Sequence, residues 1–379
     1  MESLERIRCA IRLQSADVTP VAPYMGNHGA HVAGVSIGEY CRSGKLMAEA
    51  QYRAWQVYGQ DTVVAQSDNY YIAEGFGVEV QHYENSTPTL KAPAVQDLED
   101  VDRLRVPNPW RDGRMPVYLE AIRRLAALTR DEVAVRAPGT GPFSLASHLL
   151  GTEQFLVELA LAEQEPGGSR EQMLKQLLDL TTDALIAFAT ACLEAGAHIV
   201  QAGDSLASLD MISPAMYRNW AWPAERRFFE TINPLAEQHG AATLLHICGN
   251  MTPVLEVMAE TGAQILELDH KVSLKTAKKR VGHRVCLMGN LDPVEVLWRA
   301  APESVALAAR QAVADAGQDG GFILGSGCEV PMYAPQANLH AMIAAARGTS
   351  FNQPQACLCS MTQRGVCGHP AEPAMKDLS

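Results

Sequence analysis

Short apolar runs rich in Val, Ile, Leu and Ala alternate along the chain with longer stretches in which apolar residues recur at helical spacing. That alternation is the pattern of a parallel sheet built from βα units. Eight runs read as strands, at residues 21–26, 62–68, 132–139, 198–204, 242–249, 265–269, 285–292 and 321–329. Eight parallel strands with intervening helices predict an α/β fold of the TIM (β/α)8 barrel type. Amphipathic stretches at 169–195, 213–239, 251–261, 303–316 and 335–347 supply helices for its outer ring. The second of these opens on Ser213-Pro214. The serine can cap the helix, and proline's missing N–H costs nothing in the first turn.

Two additions to a bare barrel are expected. One is an N-terminal helical region ahead of the second strand. The other is a β-hairpin insertion over 78–91, where Val-Glu-Val-Gln-His-Tyr and Pro-Thr-Leu-Lys read as its two arms. Residues 1–348 therefore read as a single barrel domain, and residues 349–379, rich in Cys, Pro, Gln and Gly, as an irregular tail. Cys357, Cys359 and Cys367, with His369 nearby, have ligand chemistry in an unfamiliar spacing, and an irregular terminus is expected there rather than a second metal site.

Composition narrows the function. In 379 residues, 47% hydrophobic, there is material for a substantial core. A net charge of −12 without any basic run argues against nucleic acid or an anionic membrane surface as partner. The N-terminus is charged and amphipathic, with no signal-peptide apolar segment, and no uninterrupted apolar run reaches the roughly 18 residues of a membrane span. A cytoplasmic protein is expected. Its nine cysteines then read as thiols or metal ligands, since the cytosol keeps thiols reduced and an odd number cannot all pair internally.

Position decides which cysteines matter. His246 and Cys248 end the fifth expected strand with one residue between them, so both point to the same face of an extended chain. Cys328, flanked by Gly327 and Glu329, ends the eighth. In a barrel the strand C-termini converge on one rim. One imidazole and two thiolates suit zinc better than magnesium, calcium or manganese. Three protein ligands leave the fourth position open, as in catalytic sites, and a thiol entering it would ionise at neutral pH.

Other rim positions offer candidate roles. Asp269, ending the sixth strand, could act as a further ligand or orient the His246 ring. Asp68 and Asp204 end the second and fourth strands, where they could contact substrate or cap a helix. Asn290 follows Gly289 at the end of the seventh strand and could bond substrate or serve a turn. Glu329 could face the site or point away from it. A lone histidine such as His148 reads as a surface or capping residue.

Several stretches together resemble the uroporphyrinogen decarboxylase superfamily from about Thr19 to Arg347. They are Asp61-Thr62-Val63-Val64-Ala65-Gln66-Ser67-Asp68, Gly75-Phe76-Gly77-Val78-Glu79-Val80, Gly139-Thr140-Gly141-Pro142-Phe143-Ser144-Leu145-Ala146, Gln201-Ala202-Gly203-Asp204-Ser205, Ile212-Ser213-Pro214-Ala215-Met216-Tyr217 and Gly289-Asn290-Leu291-Asp292-Pro293. Within it, the His-x-Cys plus distant Cys pattern is similar to zinc methyltransferases of the methylcobamide:coenzyme M type. The decarboxylases instead carry an arginine-rich N-terminal segment for the substrate's propionates. Here Ala22-Pro23-Tyr24-Met25-Gly26-Asn27-His28-Gly29 contains no arginine, so a porphyrinogen would lack its counter-charges. Tyr24, Asn27 and His28 stand in those places as candidate substrate-pocket residues.

The resemblance implies zinc on His246, Cys248 and Cys328, with Asp269 as the acidic neighbour. It also implies a corrinoid (cobalamin) carried by a partner protein, because this chain has no Asp-x-His-x-x-Gly motif of its own. The implied activity is methyl exchange between that corrinoid protein and a small molecule, most naturally a thiol such as coenzyme M. Demethylation of an ether, amine or halide, porphyrinogen decarboxylation, and a non-catalytic zinc-bearing scaffold remain as alternatives.

Overall fold

The computed structural model describes residues 1–349, so the tail residues Cys357, Cys359, Cys367 and His369 lie outside the described residues. Seven parallel strands form one sheet: β1 (Thr62–Val64), β4 (Ala134–Arg136), β5 (Ile199–Gly203), β6 (Ala242–Ile247), β7 (Ile265–Leu268), β8 (Cys286–Leu291) and β9 (Phe322–Ser326), hydrogen-bonded in that order. Between β1 and β4 lies the expected hairpin, β2 (Glu79–Gln81) and β3 (Thr89–Ala92), paired antiparallel.

The first expected strand contracts to a single bridge, Val21 to Leu324. The Ala22 N–H donates to the Leu324 carbonyl at 2.7 Å, and the Asp61 N–H, just ahead of β1, donates to the Val21 carbonyl at 2.7 Å. This short segment therefore joins β9 to β1 and closes the ring. It extends no further because Pro20 and Pro23 flank it without N–H donors, and helix Gly26–Ala33 begins three residues later.

Strand alternation sorts the interior. Ala134, Ile199, Leu244, Ile265, Cys286 and Ile323 form an apolar layer inside the barrel, and Leu4, Ile7 and Ala10 of the N-terminal helix Ser3–Ile11 pack against it. The N-terminal end of the barrel is thereby stoppered. Two residues further along their strands, at the period of an extended chain, stand Arg136, Gln201, His246 and Glu267. A polar layer thus rests on an apolar floor beneath the open C-terminal rim.

Outside the sheet, helix Ser169–Glu194 is long and apolar enough to cross a membrane by composition, but 61% of its apolar window is buried in the barrel shell. Ser213 accepts a hydrogen bond from the Met216 N–H at 3.1 Å, as its capping role requires. The chain then passes through a wider turn at Tyr217–Ala221 before helix Trp222–Gln238. His148 departs from expectation: it is buried within helix Pro142–Leu150, against the ring of Tyr70 at 4.8 Å between centroids. That helix is buried along its whole length between the barrel and its neighbours, so no surface position exists for it.

Candidate metal centre

His246, Cys248 and Cys328 come together with their ligand atoms all within 4.8 Å of one another. The His246 Nε2 lies 3.2 Å from the Cys248 sulfur, and the two sulfurs are 3.8 Å apart. Two sulfurs each bound at about 2.3 Å to a tetrahedral zinc would stand about 3.8 Å apart. The donor set therefore fits zinc in chemistry and in its sulfur–sulfur edge. His246 and Cys248 arrive from β6 and the residue after its end, Cys328 from the turn after β9, and the apolar floor lies beneath them.

Their protonation is mutually set. The Cys328 thiol hydrogen-bonds Cys248 and, against the effect of burial, combines with the charge of His246 to hold the Cys248 thiol well below the usual thiol range. Beside that thiolate the Cys328 thiol is pushed far up. Burial alone would lower His246, but Cys248 and Glu267 together raise it to about 9. The Ser205 hydroxyl is 3.3 Å from the Cys248 sulfur.

Behind the imidazole stands a buried group that the sequence reading did not single out. The His246 Nδ1 lies 3.2 Å from the Glu267 carbonyl oxygen and 3.4 Å from its carboxylate. That carboxylate accepts from both terminal nitrogens of Arg136 at 2.7 and 2.6 Å. The Arg136 Nε donates to Gln201 at 2.7 Å, and its guanidinium carbon sits 4.2 Å from the centre of the Tyr24 ring. Burial would raise the Glu267 carboxyl, yet Arg136 holds it below the usual range. One signal for these residues was present in the sequence: a charge inside each of two otherwise apolar strands, Ala-Val-Arg and Ile-Leu-Glu-Leu.

The other candidates are distributed around this centre. Asp269 does not join the ligand cluster; it accepts from the backbone N–H of Gly249 at 2.9 Å and of Lys271 at 2.8 Å, so it shapes the loop that follows Cys248. Asp204 accepts from the Phe143 and Ser144 N–H groups at the start of helix Pro142–Leu150, at 3.1 and 2.6 Å. Burial raises Asp204 to about 6, with those donors opposing. Asp68 is gripped by Arg114 at 2.6 and 2.8 Å, and Arg114 also donates to Glu74. Asn290 bonds the Asp269 and Val272 carbonyls at 2.8 and 2.7 Å.

Glu329, next to Cys328, is held by the backbone N–H and side-chain amide of Asn27 at 2.7 and 3.0 Å. Burial pushes its carboxyl up to about 7, with the Asn27 donors opposing. Tyr24 faces the polar layer through Gln201 and Arg136. His28 does not reach the mouth: both ring nitrogens are occupied, by the Met332 carbonyl and the Tyr58 hydroxyl, each at 2.9 Å.

Comparison with known proteins agrees with this architecture. A methylcobamide:CoM methyltransferase of Methanosarcina mazei is 31% identical over 354 residues, covering 92% of this chain and 98% of that protein. A uroporphyrinogen decarboxylase of Syntrophotalea carbinolica is 30% identical over 68% of this chain and 71% of its own. A solved structure of a methyltransferase from Methanosarcina mazei superposes with a TM-score of 0.82 at 26% identity, over 92% of this chain and 98% of the other. The uroporphyrinogen decarboxylase (URO-D) family profile matches residues 2–349, and the chain belongs to that family.

Proposed function

We propose that this protein is a zinc-dependent methyltransferase that exchanges a methyl group between a corrinoid carried by a partner protein and a small-molecule thiol. The observation that carries the reading is the convergence of His246, Cys248 and Cys328 at the barrel mouth. Its context is a relative named methylcobamide:CoM methyltransferase that aligns over nearly the whole chain.

Held by these three donors, zinc supplies the Lewis acidity that keeps a bound thiol in its nucleophilic form. The chain's own residues do the rest. Glu267 fixes the His246 ring through Nδ1, and Arg136 fixes Glu267. Asp269 holds the turn after Cys248 through the Gly249 N–H. The apolar floor sealed by Leu4, Ile7 and Ala10 closes the barrel below the site, which leaves the C-terminal rim as the entry for a small molecule.

Decarboxylation of a porphyrinogen has less support, although decarboxylases are among the relatives. The segment from Ala22 to Gly29 contains no arginine, and Arg136 and Arg114 are bound to carboxylates of this chain. The test is to measure zinc in the purified protein and follow the methylcobalamin spectrum with a panel of thiols, and the cob(I)alamin spectrum with methylated donors. Stoichiometric zinc and loss of methylcobalamin with a thiol are expected. A zinc-free active protein, or zinc without methyl exchange in either direction, would overturn the reading.

A further inference from the structure

Two features of the rim around the metal centre bear on which charge a ligand there can carry. The first concerns cationic side chains. Among the described residues, Arg136 is fastened to Glu267, and Arg114 to Asp68 and Glu74. Farther out, Lys271 pairs with Asp210, and His270 lies between Asp269 and Asp292 at 3.1 and 3.4 Å.

The second concerns backbone N–H groups, which at helix N-termini and strand ends are ready-made anion sites. Here the chain's own carboxylates occupy several of them. Glu329 takes the Asn27 N–H at the start of helix Gly26–Ala33, and Asp204 takes two at the start of helix Pro142–Leu150. Asp269 takes those of Gly249 and Lys271, Asp292 those of Val294 and Glu295, and Asp68 that of Tyr70. An anionic ligand that used any of these donors would have to displace a carboxylate of this chain, which would remain beside it.

The balance of the interior points the same way. Arg114 answers two carboxylates and Arg136 one, whereas Glu329 and Asp204 are held by N–H or amide donors alone. Resting on the proposed function, we infer that the thiol substrate is neutral or cationic, and that the site selects against a thiol bearing a sulfonate or carboxylate, coenzyme M included. An anionic thiol brought beside these carboxylates meets like charge, which is expected to weaken its binding about tenfold or more.

Three thiols of equal chain length test this: cysteamine, 2-mercaptoethanol and 2-mercaptoethanesulfonate, titrated into cobalt(II)-substituted full-length protein and corrected for thiol acidity. The sulfur-to-cobalt charge-transfer band reads binding without turnover, and methylcobalamin consumption gives kcat/KM in parallel. At least one of the first two should bind about tenfold or more tightly than the sulfonate, and Glu329→Gln should narrow that gap. A gap under about tenfold, or a preference for the sulfonate, overturns this inference alone. A cobalt-loaded protein giving no band with any of the three overturns the thiol reading and this inference with it.

Discussion

Glu267 holds the His246 ring from behind while Arg136 holds Glu267. The Nδ1 faces the Glu267 carbonyl at 3.2 Å and its carboxylate at 3.4 Å, and the carboxylate is locked bidentately to a guanidinium that is fully buried. Such a partner fixes the tautomer and orientation of a ligating imidazole, and its loss typically weakens metal binding 10- to 100-fold. Glu267→Gln should therefore keep zinc but lower its affinity about 10- to 100-fold, measured by chelator competition. Breaking a buried pair also leaves Arg136 uncompensated, at about 3–5 kcal/mol. Arg136→Met/Glu267→Gln should recover much of that stability without recovering the zinc affinity. An unchanged affinity in both variants would mean that Glu267 serves the fold alone.

Cysteines in this chain divide by position. Cys248→Ala and Cys328→Ala should each remove zinc, because two ligands no longer make a closed set. Cys286, on β8 within the apolar layer, has a thiol that burial pushes up to about 12. Cys286→Ala should keep full zinc and lose about 1 kcal/mol or more through the small cavity it leaves. Metal analysis beside urea denaturation distinguishes the two classes, and full zinc in Cys248→Ala or Cys328→Ala would remove the centre from consideration.

Much of this arrangement was legible in the sequence, for a simple reason. Strand periodicity alone puts His246 and Cys248 on one face, and a barrel brings strand ends together, so Cys328 could be joined to them from 80 residues away. What periodicity does not carry is partner choice. Arg136 and Glu267 are 131 residues apart, and nothing in either strand names the other. Asp68, Asp204 and Asp269 were visible as rim carboxylates, but whether a carboxylate meets a ligand or a backbone N–H depends on loops such as 65–78 and 204–213. The first strand was misjudged in length because its apolar pattern outweighed the prolines on either side of Val21 and Ala22.

Burial of His148 gives a pH signature of known sign. Burial lowers its pKa from the ordinary 6.5 to about 4. Between those values the unfolded chain takes up a proton that the folded chain refuses, so stability is full above about 6.5 and falls as the pH drops toward 4. His148→Phe removes this contribution while filling the space against Tyr70. Relative to the variant, the wild type should lose roughly 2–3 kcal/mol between pH 7 and pH 4.5. Urea denaturation at the two pH values checks it, and a pH-independent difference between the two proteins would show that His148 protonates equally in both states.

Gly249 ties the backbone to the metal centre without supplying a ligand. It follows Cys248 with φ at +87°, and a Cβ there would stand 2.4 Å from the Ser208 hydroxyl oxygen and 2.9 Å from an Asp210 carboxylate oxygen. Gly34 also has positive φ, at +72°, but a Cβ on it would meet nothing within 4 Å. Both substitutions to alanine incur the left-handed backbone cost of roughly 1–2 kcal/mol, and only Gly249→Ala adds a collision beside Cys248. Gly34→Ala should therefore lower stability by about that amount and leave zinc affinity unchanged. Gly249→Ala should lower stability further and weaken zinc about tenfold or more, because the strain is relieved by moving Cys248 and by loosening the bond from the Gly249 N–H to Asp269. Chelator competition on both variants decides it. Equal zinc affinities would show that the turn after Cys248 yields without moving the ligand.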